Sequence, residues 1–267
     1  MITANGIEIK PTLFPDGTSQ VWKLPDDLLD EIEIVRIRWE FTHEAEFMHL
    51  AQLKMLLDAY NVTSFLHLPY LPYGRQDKGT CNQNTFALNT FACLLNALQF
   101  PEITIMDPHS SAATAWIKNS ITLFPRRVVN RVMEKLKANV ICYPDEGAYE
   151  RYNCQYDLFN RVLIGQKTRN QSTGNITGFS LKRDKSCAVH YTDNILIIDD
   201  ICDGGATFIG IAEELAKLNP TSISLFVTHG IFSKGLKPLR LAGLKRIFTA
   251  RGEVVTASDG DIGYKSW

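Results

Sequence analysis

Residues 194–208 read NILIIDDICDGGATF. An apolar run delivers two adjacent carboxylates, Asp199 and Asp200. A third, Asp203, follows, and then Gly204, Gly205, Ala206 and Thr207. The apolar residues mark a strand whose carboxyl end carries the acids. The glycines let backbone N–H groups converge on an anion where a helix begins at Ala206, and Thr207 adds a hydroxyl. The carboxylates suit sugar hydroxyls, directly or through a hard cation such as Mg²⁺. Acids beside an anion cradle make sense if they face different ends of one ligand, a sugar phosphate. The plainer alternative is an aspartate-rich turn capping a helix.

Other segments carry chemistry of the same kind. QKTRN, residues 166–170, offers two cations, Lys167 and Arg169, in a long polar stretch over 166–186. Loops of that length are usually either mobile and functional or disordered, and one that closes over phosphates would carry its cations to the reaction. LPYLPYGRQDK (68–78) supplies Arg75 and Gln76; a guanidinium fits phosphate or stacks on a base. MDPHSS (106–111) places Asp107 and His109 after an apolar run, and YPDEGAYER (143–151) does the same with Asp145. FPDGT (14–18) is a Pro-Asp-Gly turn in its own right, and VTHGIFS (227–233) closes another apolar run.

The elements that must position these residues alternate. Strand patterns occur at 6–10, 31–40, 62–68, 102–107, 138–143, 161–167, 194–200, 222–230 and 245–250. Helical patterns occur at 44–60, 83–98, 126–137 and 205–218; in the first, Phe47, Leu50, Leu53, Leu56 and Leu57 share a face. Strands alternating with helices predict parallel sheets flanked by helices, an α/β fold. ITIMD and NILIIDD both end an apolar strand in an acid, which hints at two similar halves. A cut near Pro125 gives domains of 1–128 and 129–267.

Bulk numbers narrow the class. The chain has 267 residues, 45% hydrophobic and 21% charged, with 28 basic and 29 acidic residues. That balance gives no sign of broad nucleic-acid or membrane affinity, and no uncharged run reaches membrane-spanning length. Cysteines at 81, 93, 142, 154, 187 and 202 show no CxxC spacing, so a zinc site is not expected. They read as reduced thiols of a cytoplasmic protein. The first residues, MITANGIEIK, lack the pattern of a secretory signal.

Taken together and in order, the segments resemble ribose-phosphate pyrophosphokinases over about residues 10–235. The 199–207 segment is similar to the ribose-5-phosphate loop those enzymes share with type I phosphoribosyltransferases; GRQDK and FPDGT resemble motifs of the pyrophosphokinases alone. The resemblance implies two phosphoribosyltransferase-like domains of type I. It implies transfer of the diphosphoryl group of ATP to ribose 5-phosphate, with Mg²⁺. Lys167 and Arg169 would be the transition-state cations, Arg169 also touching ribose 5-phosphate. Asp16, Gly17, Thr18, Arg75 and Gln76 would bind ATP, the first three reaching the ATP of a neighbouring subunit, so that the protein is at least a dimer. Asp199, Asp200, Asp203, Gly204, Gly205, Ala206 and Thr207 would bind ribose 5-phosphate. His109, Asp145, Asp199 and Asp200 would hold metal, with Asp107 behind them.

The chain departs from the family pattern in places. Thr18 stands where the family usually has Glu, and Gly204 replaces the first hydroxyl of its Asp-Thr-Gly-Gly-Thr loop. Ala206 replaces a glycine there, so it must keep a negative φ or carry strain. The chain stops at DGDIGYKSW, short of the family's closing strand and helix, which bears on its hexamer and ADP regulation. Such a trimmed member is of a kind found in phage genomes. Two rival functions stay open: a type I phosphoribosyltransferase, and a non-catalytic regulatory relative.

Overall fold

The computed structural model describes residues 1–25, 33–79, 85–153, 155, 161–169, 176–183, 189–256 and 262–266, excepting the side chains of 112, 168, 169, 176, 177 and 183. The chain divides into two compact units, Met1–Phe124 and Pro125–Trp267.

The first unit runs β1 (Ile2–Ala4), β2 (Ile7–Glu8), β3 (Thr12–Leu13), β4 (Ser19–Gln20), β5 (Ile34–Trp39), α1 (Glu46–Ala59), β6 (Thr63–Leu68), α2 (Ala87–Ala97), β7 (Ile103–Met106), α3 (Ala112–Trp116) and β8 (Ser120–Leu123). Its six-stranded sheet has the order β2-β1-β5-β6-β7-β8. Strands β5 to β8 pair in parallel, and β1 adds antiparallel to β5. The period-2 pattern of β5 is met: Val35, Ile37 and Trp39 are buried while Ile34, Arg36 and Arg38 face out. Helix α1 buries Leu50, Leu53 and Leu57, with Phe47 and Leu56 partly buried against the same core. Strands β3 and β4 form a separate two-stranded hairpin.

The second unit runs α4 (Arg126–Leu136), β9 (Val140–Tyr143), α5 (Glu146–Tyr152), β10 (Val162–Arg169), β11 (Ile176–Arg183), β12 (Asn194–Cys202), α6 (Ala206–Ala216), β13 (Ser222–Gly230), α7 (Lys237–Leu241), β14 (Leu244–Thr249), β15 (Gly252–Thr256) and β16 (Ile262–Lys265). The eight-stranded sheet has the order β11-β10-β9-β12-β13-β14-β15-β16. Its centre, β10-β9-β12-β13-β14, is parallel; β11, β15 and β16 add antiparallel. Ile195, Leu196, Ile197 and Ile198 of β12 are all buried, as a strand covered on both faces requires.

One expectation is corrected. The polar stretch 166–186 is not one long loop: β10 and β11 pair antiparallel from Leu163↔Arg183 to Arg169↔Ile176, with a register shift at Thr168/Arg169. Lys167 therefore sits on a strand, paired with Phe179. Phe179 and Leu181 of β11 pack against the second unit's core, but two apolar residues in so polar a stretch make a short alternation that reads as loop. Among the cysteines, Cys93 is an exposed thiol and Cys142 and Cys202 are buried thiols; Cys81, Cys154 and Cys187 lie outside the described residues. Among the described residues no helix is long and apolar enough to cross a membrane.

Candidate active site

Strand β12 delivers Asp199 and Asp200 to the carboxyl edge of the second sheet, where ligands of open α/β sheets bind. The turn after it needs glycine at one position above all. Gly205 has φ +79° and precedes α6, and a side-chain carbon there would sit 2.9 Å from Leu239 Cδ2. Ala206 is the first residue of α6 and is not among the residues of positive φ, so its methyl adds no backbone strain. Opposite Gly204 lies a residue that the motif did not point to. Lys234, exposed, has its Cε 3.6 Å from where a Gly204 side chain would begin. A lysine side chain thus lies beside the turn.

Three carboxylates and two cations gather around the carboxyl half of β12. Asp145 caps α5 by accepting from the Ala148 N–H at 2.9 Å. Lys167 Nζ donates to its other oxygen, also at 2.9 Å. Burial works to raise the Asp145 pKa, but the bonds from Lys167 and Ala148 outweigh it and leave the carboxyl below its ordinary value. Asp199 moves the other way. Burial, then the charge and hydrogen bond of Asp200, then the charge of Asp145, push its pKa well up. Asp200, 3% exposed, faces Arg151, whose Nη1 stands 3.1 Å from Oδ2. Burial first, and then Asp199 and Asp203, push the nearby Cys202 thiol up to about 12, so it is no nucleophile at neutral pH.

These oxygen donors fit a hard dication. Asp199, crowded by two other carboxylates, is a group whose ionised form a cation would favour. No three His, Cys, Asp or Glu side chains among the described residues close up into a metal-holding group by themselves. Mg²⁺ ordinarily keeps waters and substrate oxygens alongside one or two carboxylates, so the donor set is of the right chemistry.

In the first unit, FPDGT is the tip of the β3–β4 hairpin. The turn closes with Gly17 N–H donating to Phe14 O and Phe14 N–H to Thr18 O, both at 2.9 Å, and Gly17 takes φ +85°. The Thr18 hydroxyl and amide both donate to Asp16 Oδ1, at 2.7 and 3.0 Å. These bonds, side chain first, hold the exposed Asp16 carboxyl below its ordinary pKa. Phe14 and Trp22 meet edge to face at 6.2 Å beside it. The GRQDK segment leaves β6 in a tight turn, Gln76 N–H donating to Tyr73 O at 2.9 Å, with Arg75 and Gln76 exposed. The Tyr73 hydroxyl donates to Glu44 at 2.6 Å, above a cleft of about 430 Å³ lined by Trp39, Phe41, Phe47 and Phe91. Asp107 is fully buried after β7, and His109 is half-buried two residues on.

Three non-glycine residues of positive φ fall in the segments singled out for chemistry: Tyr73 at +61°, Asp107 at +42° and Phe232 at +49°. Strained backbone of this kind gathers at functional sites. Asp145, Lys167, Asp199, Asp200 and the 203–207 turn share the second unit, whereas Asp16, Arg75, Gln76 and His109 belong to the first. Arg169 ends β10, and its side chain lies outside the described set. Two site residues escaped the sequence reading. Arg151 ends the quoted YPDEGAYER, and its spacing from Asp145 on a helix was the available signal. Lys234 follows THGIFS with no signal of its own.

No family model matches the chain. Curated relatives do. The ribose-phosphate pyrophosphokinase of Thermococcus kodakarensis is 26% identical over 235 residues, covering 86% of this chain and 80% of the relative. That of Saccharolobus solfataricus is 23% identical over 266 residues, covering 96% and 87%, and that of Pyrococcus furiosus 27% over 249 residues, covering 86% and 79%. The chain is a divergent relative of the ribose-phosphate pyrophosphokinases. Its fold agrees: phosphoribosylpyrophosphate synthetase from Mycobacterium smegmatis superposes with a TM-score of 0.69 at 17% identity, over 90% of this chain and 78% of that one. The two-unit, mainly parallel α/β architecture expected of this pyrophosphokinase relative is thus the one it has.

Proposed function

We propose that the chain transfers the diphosphoryl group of ATP to the 1-hydroxyl of ribose 5-phosphate. The 1-oxygen bonds to the β-phosphorus and loses its proton to solvent as the bond from that phosphorus to the α,β-bridging oxygen breaks, giving phosphoribosyl diphosphate and AMP. The observation that carries this reading is the second unit's site: a carboxylate pair at the end of β12, a glycine turn at the start of α6, and Lys167 brought to the Asp145 carboxylate at 2.9 Å. A phosphate at the turn receives the free N–H groups of the first turn of α6, the Thr207 hydroxyl and the charge of Lys234. Asp199 and Asp200 accept hydrogen bonds from the ribose hydroxyls.

Phosphoryl-type transfer asks the protein mainly to position groups and to offset charge on the equatorial oxygens. Lys167, with Arg169, is assigned that task. Its pairing with Asp145 means that the ion pair opens when Lys167 turns to the phosphates. Arg75 and Gln76 hold ATP, and Asp16 serves the ATP of a second copy, which makes the working form at least a dimer. Mg²⁺, when bound, would offset phosphate charge; in the second unit Asp145, Asp199 and Asp200 are the residues that would hold it, Asp199 and Asp200 serving a second ion at the ribose, and in the first unit His109 is the candidate ligand. The test is the nucleotide product. AMP should form in step with phosphoribosyl diphosphate, and only with both substrates and Mg²⁺ present; ADP as sole nucleotide product overturns the reading.

A further inference from the structure

Helix α5 carries a charged group at each end, and each is tied to a different strand. At its start Asp145 receives Lys167 of β10 at 2.9 Å. In its last turn Arg151 reaches Asp200 of β12 at 3.1 Å. Arg151 is itself held: its guanidinium lies 5.6 Å from the centre of the Tyr152 ring, and Tyr152 stacks on Tyr143 with centroids 6.4 Å apart and planes at 17°. Tyr143 and Tyr152 are almost wholly buried, and so is Asp200. The guanidinium is therefore fixed by packing on one side and by a carboxylate on the other. A buried carboxylate needs such a partner to stay in place, and Asp199 directly precedes Asp200 on β12. The chain of contacts runs from the aromatic stack through Arg151 to the acid pair.

We infer that Arg151 is the positioning residue of the Asp199–Asp200 pair, setting the orientation in which the two carboxylates meet the ribose hydroxyls. This rests on the proposed ribose 5-phosphate site. Arg151 acts through Asp200, so its role disappears when Asp200 can no longer hold a charge.

The experiment is a double-mutant cycle on the full chain with Arg151→Met, Asp200→Asn and both, read as separate KM values for ribose 5-phosphate and ATP and as kcat. Arg151→Met alone should raise KM for ribose 5-phosphate by about tenfold or more and leave KM for ATP within about twofold. In the Asp200→Asn background it should add less than about twofold, since two residues in one ion pair are not additive. Arg151→Lys, which keeps the charge and loses the planar fork, should fall between wild type and Arg151→Met, and carries the test if the methionine variant does not fold. Losses that add in the Asp200→Asn background overturn the inference, because Arg151 then acts on its own. So does an equal loss in both KM values, which a general packing defect would give. A wild-type chain that neither binds nor converts ribose 5-phosphate overturns the proposed function and this role with it; an active wild type with additive losses overturns this role alone.

Discussion

At the scale of single residues, neighbouring carboxylates are set apart by what touches them. Asp145 is held charged by Lys167, whereas burial and Asp200 push Asp199 toward its neutral form. The lysine is central to the proposed chemistry. Lys167→Ala should lower kcat by about 10²–10³ with KM for ATP nearly unchanged, the mark of a group that acts chiefly in the transition state. Steady-state kinetics check this, and near-wild-type kcat would leave Lys167 as an ordinary partner of Asp145. Gly205 tests the turn. With φ +79° and Leu239 2.9 Å from the added carbon, Gly205→Ala should cost about 1–2 kcal/mol of stability from the left-handed backbone alone. Urea unfolding reads that cost, and a higher KM for ribose 5-phosphate should accompany it.

At the scale of elements, the parts written in apolar periodicity were legible and those written in polar contacts were not. NILIIDD reads as a buried strand with acids at its carboxyl end because nothing else explains four apolar residues before two aspartates. The start of β10 was legible as the 161–167 pattern, but β11 was hidden because, of its described side chains, only Phe179 and Leu181 pack against the core amid polar residues, and α5 because a helix of 7 residues follows Pro144 and starts inside a turn-like PDEG. The Arg151–Asp200 pair joins residues distant in sequence, so no local pattern announces it. Lys234 meets Gly204 only because β13 returns beside β12. The far side of the second sheet offers a test of its electrostatics. Glu253 of β15 accepts from Arg246 of β14 at 2.6 and 2.5 Å and from Lys135 of α4 at 3.3 Å. Arg246 first, and Lys135 after it, lower its pKa from 4.5 to about 2, against the opposing effect of burial. A carboxyl lowered on folding stabilises fully above its unfolded pKa and loses that stabilisation as pH falls to its folded one. The stability difference between wild type and Glu253→Gln should therefore be constant above about pH 4.5 and shrink as pH falls toward 2. A difference that does not change with pH would mean that Glu253 is not held charged by this pair.

At the scale of the whole molecule, the candidate groups divide between two units, with ribose-phosphate groups in the second and ATP groups in the first. The proposed sharing of ATP between copies gives a test of assembly. Asp16→Ala and Lys167→Ala chains, each nearly inactive alone, should regain activity when co-expressed, because mixed assemblies rebuild some intact sites. Differential tags show whether mixed assemblies form; if they do and no activity returns, Asp16 acts within its own chain or not at all. The central claim, that both outer phosphorus atoms move together, is tested most directly with ATP labelled on its β-phosphorus. After incubation with Mg²⁺ and ribose 5-phosphate, the label should appear in phosphoribosyl diphosphate and the released nucleotide should be unlabelled AMP. Label retained in ADP would show transfer of a single phosphoryl group and contradict the account.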